Sequence, residues 1–590
     1  MKKLNILIIS LFISVLCYGV PAKPTPIKVV QPDGTELIIK LNGDEHFHYY
    51  TTEDGILITQ NVGNFYEYAE INENGSMFAT GIIAKMPQFR TENEKNFLKT
   101  INKGFSFEKI AQKRIEKKQS IIKSTNANPS GIIGEKQLVI LVNYSNKTMV
   151  TPNANQAFTN LLNQQGYSLS GAIGSIKDYF TASSDSIFQP TFDVYGPYTL
   201  PNTMSYYGSN DNYGDDKHPD EMVLHACNAA FAAGVNFSQY DTDGDGFVDN
   251  VSVFYAGYGE ATGGADPNTI WPHHWIVSSK PTYNGVKVYD YVCMNELRGI
   301  SGTTIDGIGT FCHEFSHILG LPDLYNTSTG YGVLNSWDIM DGGCYNGPGS
   351  DGDVPCLYSA YEMFYVGWLM PDFLNECGDY ELNPLTNHST RNSYLVAKSN
   401  SHNMNGKTPI STEFYMLENR QRIANTYDYY LPSSGLLITR VNFNSLNWKA
   451  NTVNNDTKGV EIINNKTYPY LNVTGYNFVS ASNSTAWNKS LSEIQKNSEF
   501  INFHFNCATT AIPVTKAENL DVFHSENFWE ISAENKNYSV EIFNINGILL
   551  KSEMFYNKIS INNENFLNSV YILKIKDLDN GKIYFNKVIK

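Results

Sequence analysis

The chain is 590 residues long, 42% hydrophobic and 17% charged. At about 150 residues per domain that makes roughly four units, and ordinary glycine and proline contents with 13% aromatics exclude collagen-like and wholly disordered chains. A formal net charge of −16 leaves no basic footprint for nucleic acid or for an anionic membrane surface.

In chain order, Lys2 and Lys3 precede an apolar run from Leu4 to Leu16, and the small residues Gly19 and Ala22 follow. This predicts a secretory signal peptide over residues 1–19, too short and wrongly flanked for a membrane span. Leu16 before Cys17 departs from a lipobox, which wants Gly, Ala or Ser there. No later apolar run reaches about 18 residues, so no transmembrane segment is expected. Without Cys17 the cysteines are Cys227, Cys293, Cys312, Cys344, Cys356, Cys377 and Cys507, with no CxxC pair, which excludes a cysteine zinc ribbon. Their odd number is no disulfide framework, although Cys344 and Cys356 could close a short loop.

Residues from about 24 to 90 alternate as strands do, with turns at Pro32-Asp-Gly34 and Glu53-Asp-Gly55. A charged, helix-prone run from Glu92 to Lys123 and a polar stretch from Ser124 to Gly134 follow. They read either as a solvated helix and linker or as the protease-sensitive joint of a prosegment over residues 20–130. The continuous apolar run Gln137–Asn143 predicts a buried strand opening a mixed α/β domain over 131–375. Asp220–Ala233 reads as a helix and Asn250–Tyr255 as a second buried strand. Beyond about residue 375, short strand-like runs such as Glu413–Leu417 and Gly435–Val441 predict a β-rich accessory domain over 376–512, and the same texture continues over 513–590.

Chemistry concentrates in Phe311-Cys-His313-Glu314-Phe-Ser-His317-Ile-Leu-Gly320-Leu-Pro-Asp323-Leu-Tyr325. Residues four apart share a helix face, so His313 and His317 point at one spot, and two imidazoles there suit Zn²⁺. Glu314 sits beside the first ligand, able to act as general base toward a water in the open position. Gly320 can end the helix and Pro322 stops its continuation, so the chain can turn Asp323 back as third ligand. Glu362, on the helix-like run Ser359–Tyr365, is the alternative third ligand. Trp337-Asp-Ile-Met340 resembles a Met-turn, with Met340 as an apolar floor beneath the metal. HExxH alone arises by chance in roughly one chain of this length in a hundred. Gly320, Asp323 and Met340 at their offsets remove that explanation.

A second cluster, Asp241-Thr-Asp243-Gly-Asp245-Gly-Phe247-Val-Asp249, places carboxylates and the Phe247 carbonyl at EF-hand positions, with Ser252 where the bidentate Glu would stand. A structural Ca²⁺ site is expected, a solvated acidic turn being the plainer alternative. Trp271-Pro-His273-His274-Trp275 puts adjacent histidines on opposite faces of a strand, which suits packing or a substrate groove better than one metal.

With these residues in view, most of the chain resembles the secreted immune inhibitor A-type metallopeptidases, in a Bacteroidetes form. The resemblance is carried by Gly43–His48, Thr52–Gly55, the acidic loop, Trp271–His273, His313–Tyr325, Trp337–Met340, Val366–Trp368, Leu417–Gln421 and Leu431–Gly435. Ser316 stands where that family usually has Gly, which a helix tolerates. The resemblance implies a zymogen, one catalytic zinc, structural calcium and protein substrates. The segments Val540–Gly547, Ser569–Lys574 and Lys587–Lys590 resemble type IX secretion sorting domains, which implies a β-sandwich tail over 513–590 and export across the outer membrane. The expectation is a multidomain, monomeric, extracellular or surface-associated zinc endopeptidase acting on protein or peptide substrates. Its catalytic domain should be mixed α/β and zincin-like, flanked by the prosegment and by β-rich domains. A non-catalytic surface adhesin and a zinc hydrolase of non-peptide substrates are the alternatives. With no cysteine between Cys17 and Cys227, a cysteine-switch latch is impossible, and Asp44, Glu45, His46 and His48 are the candidate residues for covering the site.

Overall fold

The computed structural model describes residues 18–590 except 24, 46, 72–76, 101–133, 212–213, 278, 464–474, 508–519, 525–527, 545–547 and 568–569. The expected signal peptide core and the activation joint between Lys113 and Gly134 lie almost wholly outside the described residues, as does His46. The chain forms two compact units, Met1–Phe505 and Asn506–Lys590.

In the first unit, six antiparallel strands from Ile27–Val30 to Met77–Ile83 pair in chain order. Alternation explains the sheet, since Leu37, Ile39 and Leu41 are buried while their neighbours are not. The Arg90 guanidinium grips Asp54 at the second turn and holds its carboxyl down to about 2.

A second six-stranded sheet carries the candidate site, in the order Tyr18–Gly19, His273–Ile276, Asp290–Leu297, Val251–Tyr258, Lys136–Asn143, Thr191–Thr199. The last four pair in parallel, and the first two are antiparallel additions at one edge. Leu138–Val142 within Lys136–Asn143 is apolar throughout because both faces of the strand are covered. Val139 and Leu141 pack with helices Ala154–Asn163, Ile176–Ser183 and Ile308–Ile318. Leu138, Ile140 and Val142 pack with helix Pro219–Ala232 on the other face. The result is a three-layer α/β sandwich.

Downstream, Glu413–Arg420 and Gly435–Asn442 are central strands of a five-stranded sheet built on Asp372–Phe373, Tyr394–Ala397 and Val460–Ile462. This sheet shares a core with the α/β part. The fully buried Arg420 pairs bidentately with Asp428 at 2.7 Å and donates to the Leu357 and Trp337 carbonyls. Cys344 and Cys356 are free and buried, so they do not close the loop that their spacing allows. The second unit is a five-stranded antiparallel assembly with Trp529, Ile531, Val540, Ile542, Leu573 and Ile575 at its core.

Candidate metal centre and active site

Helix Ile308–Ile318 lies edge-on in the core, buried from Ile308 to His317. Gly309 lets it dock closely, since a Cβ there would overlap the Cys344 carbonyl oxygen. Ser316 is accommodated by bonding back along the helix, its hydroxyl donating to the Cys312 carbonyl at 2.5 Å. The helix stops at Gly320, which takes the left-handed conformation at φ 93°, and Pro322 follows. This reversal returns Asp323 to the helix face carrying the two histidines.

His313 Nδ1 donates to the Ile339 carbonyl and His317 Nδ1 to the Leu321 carbonyl, both at 2.8 Å. With each Nδ1 proton so committed, both Nε2 atoms present lone pairs, and they lie 3.2 Å apart. Asp323 Oδ1 stands 3.1 Å from the first and 3.5 Å from the second and finds no hydrogen-bond donor. Three acceptors converging in a buried pocket without a proton among them repel one another unless a cation sits at their centre. The donor set, two imidazoles and one carboxylate, fits Zn²⁺ with a coordination position left open. Asp323 Oδ2 is used differently, accepting from Asn451 Nδ2 at 2.5 Å, while the Asp323 N–H donates to Asn451 Oδ1 at 2.8 Å.

Glu362 lies elsewhere. It closes a capping box with Ser359 at the start of helix Ala360–Val366 and faces Asp338, outside the His313–His317–Asp323 group. Trp337–Met340 passes close by. Ile339 supplies the carbonyl that orients His313, the Met340 carbonyl accepts the Leu324 N–H at 2.8 Å, and the Met340 side chain is fully buried with Phe311 and Phe315.

Glu314 is fully buried, and burial pushes its carboxyl well above the usual carboxylate range, with Glu45 and Asp323 adding to the effect. Its Oε1 accepts the Val20 backbone N–H at 2.7 Å. Tyr18–Gly19 pairs antiparallel with the edge strand His273–Ile276, so the chain crosses the site in extended form. The Gly19, Val20 and Pro21 carbonyls accept from Tyr325 Oη (2.8 Å), Trp271 Nε1 (3.0 Å) and Tyr345 Oη (2.7 Å) in turn. Lys23 then pairs with Asp351. Of the residues expected to cover the site, Asp44 and Glu45 are buried, and their charges bear on Asp323 and Glu314 respectively. His48 stacks on Trp271 at 5.0 Å. The sequence gives no sign that the direct contact with Glu314 comes from a backbone amide.

In the acidic loop, Asp241, Asp243 and Asp245 converge. Turn bonds hold them, from the N–H groups of Gly246 to Asp241, Asp245 to Asp243 and Phe247 to Asp245. Asp249 stands apart, its carboxylate accepting from the Thr242 and Gly134 N–H groups at 3.0 and 2.7 Å. His273 and His274 do not join the metal group. His273 is hydrogen-bonded to Trp271 and Tyr291, and His274 is 3.3 Å from Asp290.

Residues 135–369, which include His313, Glu314, His317, Asp323 and the acidic loop, match the family described as "Immune inhibitor A peptidase M6, catalytic domain". An immune inhibitor A from Bacillus thuringiensis subsp. alesti is 31% identical over 209 residues, 30% of this chain and 29% of that protein. The pre-pro-metalloprotease PrtV of Vibrio cholerae serotype O1 is 27% identical over 215 residues, 32% of this chain and 23% of its own length. The matched part thus spans less than a third of either relative. A solved immunoglobulin-like β-sandwich protein from Bacteroides vulgatus is 15% identical, covering 12% of this chain and 84% of its own with a TM-score of 0.12, too low to carry an argument. Among the described residues no helix is long and apolar enough to cross a membrane.

Proposed function

We propose that the chain is a secreted zinc-dependent endopeptidase, made as a zymogen, that hydrolyses peptide bonds of extracellular proteins. The observation that carries this reading is the convergence of His313 Nε2, His317 Nε2 and Asp323 Oδ1 beside a buried Glu314 with extended peptide backbone lying across it. Zinc held there supplies a Lewis acid for a carbonyl oxygen and for water. Glu314 takes the proton from the attacking water and passes it to the departing amine. Gly19–Lys23 traces the path of a substrate, an extended segment added to a sheet edge. In that register Glu314 holds the amide nitrogen of the Gly19–Val20 bond and Tyr325 its carbonyl oxygen, while Trp271 and Tyr345 hold the next two carbonyls. The expected leader boundary falls at this same bond, so removal of residues 1–19 leaves residues 20–23 as a product-like occupant.

The experiment is degradation of casein by the processed protein. Cleavage is expected with metal present, and loss under a strong chelator with recovery on adding Zn²⁺. Chelator-resistant cleavage, or none at all, overturns the reading.

The acidic loop is proposed as a structural Ca²⁺ site of Asp241, Asp243, Asp245 and the Phe247 carbonyl, with Asp249 bracing the loop through Thr242 and Gly134. Support comes from the three converging carboxylates and the two-residue spacing of their turn bonds. An ion that binds only the folded state stabilises it. Calcium should therefore raise the melting temperature of the parent, and Asp243→Ala or Asp245→Ala should lower it and abolish the calcium response while zinc stays bound. A melting temperature indifferent to calcium in the parent leaves a solvated acidic turn. Export by a type IX route, with 513–590 as the sorting domain, is proposed on the sequence resemblance; part of its motif, Asn546, Gly547 and Ser569, lies outside the described residues.

A further inference from the structure

We propose that Asn451, in the β-rich region downstream of the catalytic part, is a positioning residue of the metal centre that fixes Asp323 as the third zinc ligand. This inference rests on the zinc-peptidase reading of the site.

Asn451 is 2% exposed and Asp323 1%, so neither is aligned by water. Their contact has two points. The Asn451 amide donates to Asp323 Oδ2, and its carbonyl accepts the Asp323 backbone N–H. One side chain therefore sets both the backbone and the carboxylate of a residue 128 positions earlier. A carboxylate whose Oδ2 is tied in this way has its χ2 rotation stopped, and Oδ1 is left facing the two imidazoles. The donor also favours the ionised form that a metal ligand requires.

The surroundings make the same connection. Trp448 Nε1 donates to the Gly320 carbonyl at 3.2 Å and Asn454 Nδ2 to the Leu324 carbonyl at 2.7 Å. Thr327 Oγ1 donates back to the Asn451 carbonyl at 2.8 Å. The turn Gly320–Thr327 is thus gripped from outside by residues 448–454, as Met340 grips it from within. Residue type follows from backbone as well as side chain. Asn451 lies just past helix Ser445–Lys449 with φ 49°, a left-handed position that asparagine tolerates better than most residues. The stretch 135–369 does not contain this residue, so the metal centre is completed only by the downstream region.

The test uses the full chain and three variants, Asn451→Gly, Asp323→Ala and the double variant. Zn²⁺ affinity is measured by competition with a chromophoric chelator, together with thermal melting of the metal-free proteins and the visible spectrum of the Co²⁺ forms. Glycine accepts the left-handed backbone but leaves the buried Asp323 N–H without its acceptor, so Asn451→Gly should lower metal-free melting modestly, which Asn451→Asp, keeping that acceptor, should largely restore. Asn451→Gly should weaken Zn²⁺ about 10- to 100-fold and alter the Co²⁺ spectrum. In the Asp323→Ala background it should add little further loss. Asn451→Asp keeps the backbone and the acceptor for the Asp323 N–H but replaces the amide donor, and it should weaken Zn²⁺ as much or more.

Parent-like Zn²⁺ affinity in Asn451→Gly and Asn451→Asp, with Asp323→Ala still impaired, overturns the inference and leaves the zinc site intact. Losses that multiply in the double variant, or a Zn²⁺ affinity that returns together with melting in Asn451→Asp, also overturn it, because Asn451 would then act on the fold at large. Unchanged affinity in Asp323→Ala removes the underlying site reading instead.

Discussion

Glu314→Ala is expected to keep the fold and the metal and to lose nearly all turnover. The glutamate does not belong to the three-acceptor group, whose histidines are oriented by the Ile339 and Leu321 carbonyls and whose aspartate is held by Asn451. Removing it leaves those supports in place. What disappears is the carboxylate that takes a proton from water and returns it to the leaving nitrogen, and such a group contributes about 10²–10⁴-fold. His317→Ala should behave differently, losing metal together with activity, because one of the three proposed ligands has gone. Metal analysis of both processed variants beside a casein assay separates the two. A Glu314→Ala protein that holds zinc and cleaves casein at the parent rate would sink the mechanism.

The legible and illegible parts of this site divide along a physical line. His313, Glu314 and His317 could be read because their relation is local, set by helix periodicity, and Asp323 because Gly320 and Pro322 announce the reversal that returns it. The run Gln137–Asn143 was readable as a strand buried on two faces because no polar residue interrupts it until its ends. Asp323 and Glu362 look alike in sequence, since both are carboxylates near helical segments, and only the fold shows Glu362 spent on a capping box and Asp323 beside the two histidines. Asp249 fits the loop pattern by spacing, yet its carboxylate is taken by Thr242 and Gly134, a long-range contact that no local pattern carries. Asn451 belongs with it. One asparagine among many in an Asn-rich stretch has no signature, and its significance comes entirely from where a distant turn is placed. Val20 is the extreme case, because its contribution is a backbone N–H that every residue except proline possesses.

The same backbone contact governs the second large expected effect. The uncleaved chain should be latent, and activity should appear when the joint between about Lys113 and Gly134 is cut. The Glu314, Trp271 and Tyr345 contacts to residues 20 and 21, which remain once residues 1–19 are removed, are each worth about 0.5–1.5 kcal/mol net, and the segment is tethered to the site it fills, so no substrate meets it on equal terms. Together they amount to about 3 kcal/mol, or about a hundred-fold suppression at 1.4 kcal/mol per decade. Val20→Asp probes the latch without touching the catalytic side chains. Val20 is fully buried beside Glu314, so a carboxylate there is repelled; the variant should release measurable casein cleavage from the uncut chain, while Lys23→Ala, which removes the pair with Asp351 at the margin, should release less. Cutting the joint matters because the strands Ile27–Val30 to Met77–Ile83 anchor the segment, with Tyr49 Oη donating to the Thr329 carbonyl and Tyr50 Oη accepting the Gly264 N–H. Once severed from the catalytic part, the sheet and the residues 20–23 that lead into it can dissociate as one piece. N-terminal sequencing of the active species beside an activity time course reads this directly: activity should rise with the species beginning between Lys113 and Gly134, and full activity in a protein still beginning near residue 20 would end the zymogen reading.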